Sequence, residues 1–292
     1  MVDKMMKKFL VICILIFSIL GNTSAATFSG GSMVGGVINV FSPTQISGLV
    51  LWLRSDLGIT KDGGNLVSAW ADQSGNGNNA TAYGSPLWKD NHINGHSTIY
   101  LNGSTDYFLA NLVATKGYFS GIDKPMSIFI VATMEKVTFD DAYNGTLASV
   151  NSSDPNGANE HIFRFYNYGL NMQIDRWDDA FNQKTGTGDG IPYEPITYAR
   201  PHLWELVFTG TTVSIYRDGG ATVTAADLDV GTAALDTYFS IGVIKENAAP
   251  FYYWIGDITE VIVYNSDLSD ANRQSVELYI NTKAQGTGYA IY

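Results

Sequence analysis

From Gly48 to Asn265 the chain consists of short runs rich in β-branched and aromatic residues, each stopped by Gly, Asn, Asp or Pro. Branched and aromatic side chains fit a pleated, half-buried surface, and the stopping residues supply turn geometry, so such runs predict strands. LVLWLR (49–54), LVSAWAD (66–72) and SIFIVATME (127–135) are the first three. HIFRFYNY (161–168) and LNMQIDRW (170–177) flank Gly169 as a hairpin. LWELVFTGTTVSIYRDGG (203–220) turns at Thr209-Gly210 and ends in an Asp218-Gly219 turn. YFSIGVI (238–244) and WIGDITEVIVYN (254–265) close the set. This pattern predicts an all-β chain in the form of an antiparallel β-sandwich, a jelly roll, and leaves room for one helix.

That helix is predicted over LSDANRQSVELYINTKAQG (268–286), with Ser269 or Asp270 as N-cap and Gly286 just past the end. Val276, Tyr279, Ile280 and Lys283 share one helical face, leaving Arg273, Gln274 and Glu277 elsewhere. The chain of 292 residues is 45% hydrophobic and only 15% charged, which suffices for a core and excludes general disorder. Its 17 basic against 28 acidic residues give a net charge of −11, the wrong sign for a phosphate-backbone binder, so nucleic acid is not expected as a partner.

The N-terminus is predicted to be a secretory signal. Lys4, Lys7 and Lys8 precede an apolar run too short to span a bilayer comfortably, followed by small residues, with cleavage after Ala25 or Ala26. An uncleaved anchor is the alternative and the one membrane link expected. Removing residues 1–25 takes three Lys and one Asp, leaving 14 basic and 27 acidic residues, a net −13. The single cysteine, Cys13, leaves with the signal, so thiol chemistry, disulfides and Cys-ligated zinc are not expected in the mature chain. The expected organisation is a signal peptide over 1–25, a Gly- and Ser-rich leader over 26–47, one domain over 48–284 and a tail over 285–292. The expected location is secreted, extracellular or at a cell surface.

Four segments, in order, resemble the concanavalin A-like, laminin-G-like jelly-roll superfamily. They are LVLWLRSD followed by VSAWADQSGNGNNAT, STIYLNGSTDYF, HLWELVFTGTTVSIYRDGG, and the closing FSIGVIKENAAPFYYWIGDITEVIVYNSDLSDANRQSVELYI. The resemblance covers roughly residues 48–282. It implies two packed antiparallel sheets and often glycan or protein binding at an extracellular surface, and it extends to phage tail and fibre proteins. Calcium sites built from rim Asp, Asn and carbonyl oxygens also occur in the superfamily.

Several residues are candidates for chemistry. Asp72-Gln73-Ser74-Gly75-Asn76-Gly77 opens like an EF-hand calcium loop, but the twelfth position is Tyr83 rather than Glu and no helices flank it. Asp72, Asn76 and Asp106 are nevertheless candidate calcium ligands, set against an Asx-rich turn that needs no metal. Residues 178–202 form the longest stretch without strand patterning, and long loops in compact domains are commonly functional. With Trp177 beside it, this loop carries Phe181, Tyr193, Glu194 and Tyr198, a mixture of flat aromatic faces and a carboxylate suited to stacking and hydrogen bonding a sugar. Retaining glycoside hydrolysis needs two carboxylates about 5–5.5 Å apart. The nearest motif, Asp257 to Glu260, lacks the preceding Glu and has a three-residue spacing that sends the two to opposite faces of a regular strand. Asp175 and Asp179 have the right spacing without further motif. Glu260, alternating with Ile258 and Ile262, is expected to point inward and to be held by Arg54, Arg273 or helix N–H groups. His92 and His96 are four apart, but Asn94-Gly95 argues against the helix that a zinc pair needs.

The expected function is therefore a secreted, non-catalytic carbohydrate-binding or surface-adhesion module with a glycan or surface protein as partner. The alternatives are a structural component of a cell surface or phage tail fibre, and a glucanase-type glycoside hydrolase.

Overall fold

The computed structural model describes residues 33–34, 37–38, 41–110, 112, 118, 121–135, 145–151, 161–168, 171–177, 183–190, 200–227, 234–235, 239–246 and 249–283. The predicted signal and the tail lie outside them. The chain divides into two compact units, Met1–Phe41 and Ser42–Tyr292. In the first, Met33–Val34 pairs antiparallel with Val37–Ile38. The second begins six residues before Gly48. A short 3-10 helix, Pro43–Gln45, is capped by Ser42, and Pro43 O accepts a hydrogen bond from the buried Tyr264 hydroxyl at 3.0 Å.

Among the described residues the second unit is an all-β sandwich of two large antiparallel sheets with one helix. The eight-stranded sheet runs Gly220–Asp227, Thr212–Arg217, His202–Phe208, Met126–Ala132, Ile255–Tyr264, His96–Asn102 and Leu87–Ile93, with Leu49–Arg54 also pairing onto Ile255–Tyr264. The nine-stranded sheet runs Gln183–Gly190, Asn171–Trp177, His161–Tyr168, Thr146–Asn151, Phe239–Ile241, Tyr107–Ala110, Ala80–Tyr83, Val67–Trp70 and Ile59–Lys61. Between them Trp70, Phe108, Phe165, Trp204, Trp254 and Val261 form part of one continuous core. Each such side chain contributes on the order of 1.5–3 kcal/mol through burial.

The turn chemistry behaves as the sequence predicts. Asp218-Gly219 and Asn94-Gly95 both take positive φ at the two central positions, the geometry that matches the twist of a two-residue hairpin. The histidine spacing at 92 and 96 therefore straddles a hairpin, with Ile93 opposite His96. One expectation is overturned in part. The stretch 178–202 is not strandless, because Gln183–Gly190 pairs with Asn171–Trp177. Its side chains, Gly and Thr alternating with polar residues, give no apolar signal; an edge strand can be held by backbone hydrogen bonds alone.

The two sheets treat their outer faces differently. The helix Asp270–Lys283 covers the outer face of the eight-stranded sheet, burying Val276 and Ile280. Ser269 is the N-cap, accepting from Asn272 N at its hydroxyl and from Arg273 N at its carbonyl. Its buried face is wider than the sequence indicates, since Arg273 and Glu277 are buried as well. The outer face of the nine-stranded sheet instead carries tyrosines.

Candidate functional site: a tyrosine platform

Alternation along two paired strands makes this surface. In Ala80–Tyr83 and Tyr107–Ala110, the residues Ala80, Phe108 and Ala110 enter the core, so Tyr83, Tyr107 and Leu109 must point the other way. Tyr83 lies directly opposite Tyr107, and their rings stack with centroids 4.7 Å apart and planes 4° apart. With van der Waals separation near 3.5 Å that spacing is an offset stack, the arrangement aromatic quadrupoles favour. Tyr107 is almost fully buried and packs against Tyr253 at 6.1 Å, while Leu109 and Val243 complete the small apolar cluster beneath. Tyr83 stays 41% exposed. It is a flat aromatic surface held rigid from behind.

Where the two strands meet at this end, Gly84-Ser85 lies in close contact with Thr105-Asp106. Gly84 has φ +74°, and a Cβ there would lie 2.4 Å from Asp106 Oδ1 and 2.5 Å from Thr105 O. Asp106 Oδ1 accepts from Ser85 N at 2.8 Å and Thr105 Oγ1 at 2.9 Å. Asn102 Oδ1 caps the preceding turn by accepting from Ser104 N and Thr105 N. On the other flank, Trp254 N donates to Gly242 O and Thr146 N to Tyr252 O, which sets the segment carrying Tyr253 across the sheet. Burial, with Tyr83 adding to it, pushes the Tyr107 hydroxyl above its ordinary value, and burial does the same for Tyr253. Both are uncharged hydrogen-bonding groups at neutral pH.

Two other polar clusters occupy the opposite sheet. Asp257 accepts from Thr98 Oγ1 at 2.6 Å and pairs with Lys89 at 3.3 Å and His92 at 3.4 Å, tying the edge strand to Ile255–Tyr264. Tyr100, opposite Asp257, donates to Glu135 and is pushed up to about 12, mainly by burial. Beneath the helix, Arg273 pairs with Glu205 and Glu277 and lies 3.8 Å over the Tyr216 ring. Burial, then Glu277, pushes the Glu205 carboxyl up to about 9.

Glu260 is buried as expected, but under the helix rather than in the sandwich core. It accepts from Trp52 Nε1 at 2.7 Å and Tyr279 Oη at 3.0 Å, while Arg54 binds Asp56 and Arg273 binds Glu205 and Glu277. The pairing register skips Thr259, so this bulge puts Asp257 and Glu260 on the same outer face, not on opposite faces. Each is engaged by its own set of partners.

The proposed calcium ligands do not converge. Asp72 Oδ1 accepts from Trp52 N and Ser74 N, and Oδ2 from Ser74 Oγ and Asn78 N. Asn76 Nδ2 donates to Leu49 O. Together they make an Asx-rich turn stapled to Leu49–Arg54. Asp106 sits at the far end of Ala80–Tyr83, about 13 Å along the strand. Both oxygens of Asp72 are thus engaged by N–H and O–H donors, and Asp106 stands apart from that turn. Among the described residues no group of three or more His, Cys, Asp or Glu could hold a metal ion. Trp177 ends the strand Asn171–Trp177, while Phe181, Tyr193, Glu194 and Tyr198 lie outside the described residues. The sequence signal of the platform is that Tyr83 and Tyr107 each occupy the outward phase of an alternating strand.

The fold and surface define a class, an all-β sandwich with a tyrosine-bearing outer sheet. No protein-family model and no curated protein matches the chain. Solved structures do match. The binding domain of Paraclostridial Mosquitocidal Protein 1 aligns with TM-score 0.59 at 11% identity, over 83% of this chain and 53% of that one. Trypanosoma rangeli sialidase in complex with sialic acid aligns at 0.57 and 13% identity, over 87% and 36%. The ligand-binding domain of botulinum neurotoxin serotype D in complex with N-acetylneuraminic acid aligns at 0.56 and 16%, over 81% and 52%. The chain thus spans about half or less of each, and at such identities the likeness is one of fold.

Proposed function

We propose that this chain is a secreted, non-catalytic carbohydrate-binding β-sandwich of the concanavalin A-like, laminin-G-like type. The observation that carries the reading is the Tyr83–Tyr107 stack, with Tyr83 41% exposed, on the outer face of the nine-stranded sheet. A pyranose presents a face of C–H groups that packs on an aromatic ring, while its hydroxyls need nearby polar partners. A ring buttressed from behind loses little freedom on binding, which is where affinity is otherwise spent. That sialic acid and N-acetylneuraminic acid are bound by the sialidase and toxin structures above supports a glycan ligand for this fold. The resemblance of the segment STIYLNGSTDYF, which carries Tyr107, to the superfamily's corresponding segment supports the finer assignment.

The test is glycan-array binding of residues 27–292, followed by titration of any hit with wild type and Tyr83→Ala. We expect selective binding that Tyr83→Ala weakens at least tenfold while the melting temperature stays within a few degrees. Binding to no glycan by a folded protein overturns the reading and leaves surface adhesion through a protein partner in its place.

A further inference from the structure

We infer that the stacked pair Tyr83 and Tyr107 is a site of oxidative modification, at which a peroxide-driven one-electron oxidant joins the two rings as dityrosine. Sugar binding plays no part in this; what matters is how the two phenols are held. Their ring centroids are 4.7 Å apart and their planes 4° apart. With planes about 3.5 Å apart, that spacing leaves a lateral offset of about 3 Å, so the edge of each ring lies over its neighbour at van der Waals contact. Directly opposite positions in Ala80–Tyr83 and Tyr107–Ala110 keep them in place, with Leu109, Val243 and Tyr253 packed behind Tyr107. In a tyrosyl radical much of the unpaired spin sits on the carbons flanking the phenolic one, and coupling requires two such carbons to meet. Rings already in contact need only a small tilt to do so.

Access is divided between the two residues. Tyr83 is 41% exposed and Tyr107 only 7%, so an oxidant in solution reaches Tyr83. It removes a hydrogen atom, that is an electron and the phenolic proton. Tyr107, whose own phenol senses Tyr83 and Tyr253 electrostatically, then gives a hydrogen atom back to Tyr83, the electron crossing the stack and the proton going to the Tyr83 oxygen. A second oxidation of Tyr83 leaves two radicals face to face. They form one carbon–carbon bond, and each ring regains its phenol as the displaced ring proton moves to the oxygen. In all, two hydrogen atoms leave the protein and reduce one hydrogen peroxide to two waters.

Other described tyrosines are placed differently. Tyr252, equally exposed, has Phe251 as its ring neighbour. Tyr253 meets Tyr107 at 6.1 Å and 58°, without face-to-face overlap. Tyr100 donates to Glu135 beneath Lys89, and Tyr264 is fully buried. The bond would tie two paired strands together in a chain whose single cysteine, Cys13, allows no internal disulfide.

The test is treatment of the purified protein with a haem peroxidase and one equivalent of hydrogen peroxide, read by dityrosine fluorescence, intact mass and peptide mapping. We expect a product that runs as a monomer on a denaturing gel, has lost two hydrogen atoms, and links the peptide of Tyr83 to that of Tyr107. Tyr83→Phe and Tyr107→Phe keep the rings and lose the phenols; each should fold, as checked by melting, and lower the fluorescence yield at least tenfold. Tyr252→Phe and Tyr253→Phe should leave it within twofold. Linkage between chains, a cross-link mapped to another tyrosine, an undiminished yield from Tyr83→Phe, or no dityrosine from the folded protein would each overturn the inference. None of these results bears on whether the protein binds a glycan.

Discussion

The acidic pair beneath the helix makes the fold sensitive to alkali by an amount that can be worked out. Glu205 is fully buried, and its carboxyl is pushed from an ordinary 4.5 up to about 9, first by burial and then by Glu277. It is therefore protonated in the folded protein at neutral pH, whereas in the unfolded chain it is ionised. A raised folded-state value means that the stabilisation is complete below about pH 4.5 and is lost as pH climbs toward about 9. One proton of difference corresponds to about 1.4 kcal/mol per pH unit inside that window. For a unit of this size about 1 kcal/mol moves the melting temperature by roughly 2–4 °C. Glu205→Gln replaces the protonated carboxyl by a neutral amide of the same shape, whose single oxygen can accept from Arg273 or from Gly219 N but not from both, since these donate to different oxygens of Glu205.

At pH 6 the variant is expected about 1–2 kcal/mol below wild type, the cost of the one donor that then faces the amide nitrogen. Between pH 6 and 9 wild type should lose about 3–5 °C per pH unit from this site while Glu205→Gln stays nearly flat, so the two curves diverge steadily. Scanning calorimetry at pH 6, 7, 8 and 9 reads the divergence, and the comparison with Glu205→Gln separates this site from everything the two proteins share. Parallel curves would refute the reasoning. So would a loss above about 3 kcal/mol for the variant at pH 6, the signature of a carboxylate ionised and paired to Arg273.

Gly84→Ala should destabilise by about 1–3 kcal/mol in chemical denaturation, because φ +74° disfavours a side chain and the new Cβ would meet Asp106 Oδ1 and Thr105 O. The same variant should weaken sugar binding by displacing Tyr83; unchanged stability would mean that the turn relaxes freely. Asp72→Ala leaves backbone donors at Trp52, Ser74 and Asn78 without their acceptor and is expected to cost about 2–4 kcal/mol. Millimolar calcium or EDTA should leave the wild-type melting temperature unchanged, and a rise of several degrees with calcium would contradict the hydrogen-bonded account of that turn. Trp52→Phe removes the indole donor to the buried Glu260 and should cost about 1–3 kcal/mol, measured the same way. A neutral result there would show that the carboxylate's other partners, Tyr279 among them, satisfy it without the indole.

How much of this was legible in the sequence depends on what holds each element. The strands His161–Tyr168, His202–Phe208 and Ile255–Tyr264 are legible because their inward side chains must be apolar, and their boundaries fall within a residue or two of the pattern. The helix is legible for the same reason, except that Arg273 and Glu277 look like solvent-facing residues until Glu205 and Tyr216 are found beneath them. That pairing joins residues 68 positions apart, and no local period encodes it. Gln183–Gly190 was not legible, since an edge strand can be specified by backbone pairing rather than by side chains.

The candidate site failed to show for a related reason. A search for function looks for polar clusters and loops, and so settles on Asp72, whose carboxylate is consumed by its own turn. The platform arises instead from two apolar-looking strands read in the outward phase. In an antiparallel sheet with one face in the core, an aromatic on the other phase must be covered by another element or remain at the surface. The eight-stranded sheet places its helix over that phase, as the contact of Trp52 with Tyr279 shows. Among the described residues the nine-stranded sheet has the Val243 and Tyr253 segments there, and Tyr83 is 41% exposed. The difference between the two outer faces is thus what leaves an ordinary strand residue, Tyr83, as an exposed aromatic surface.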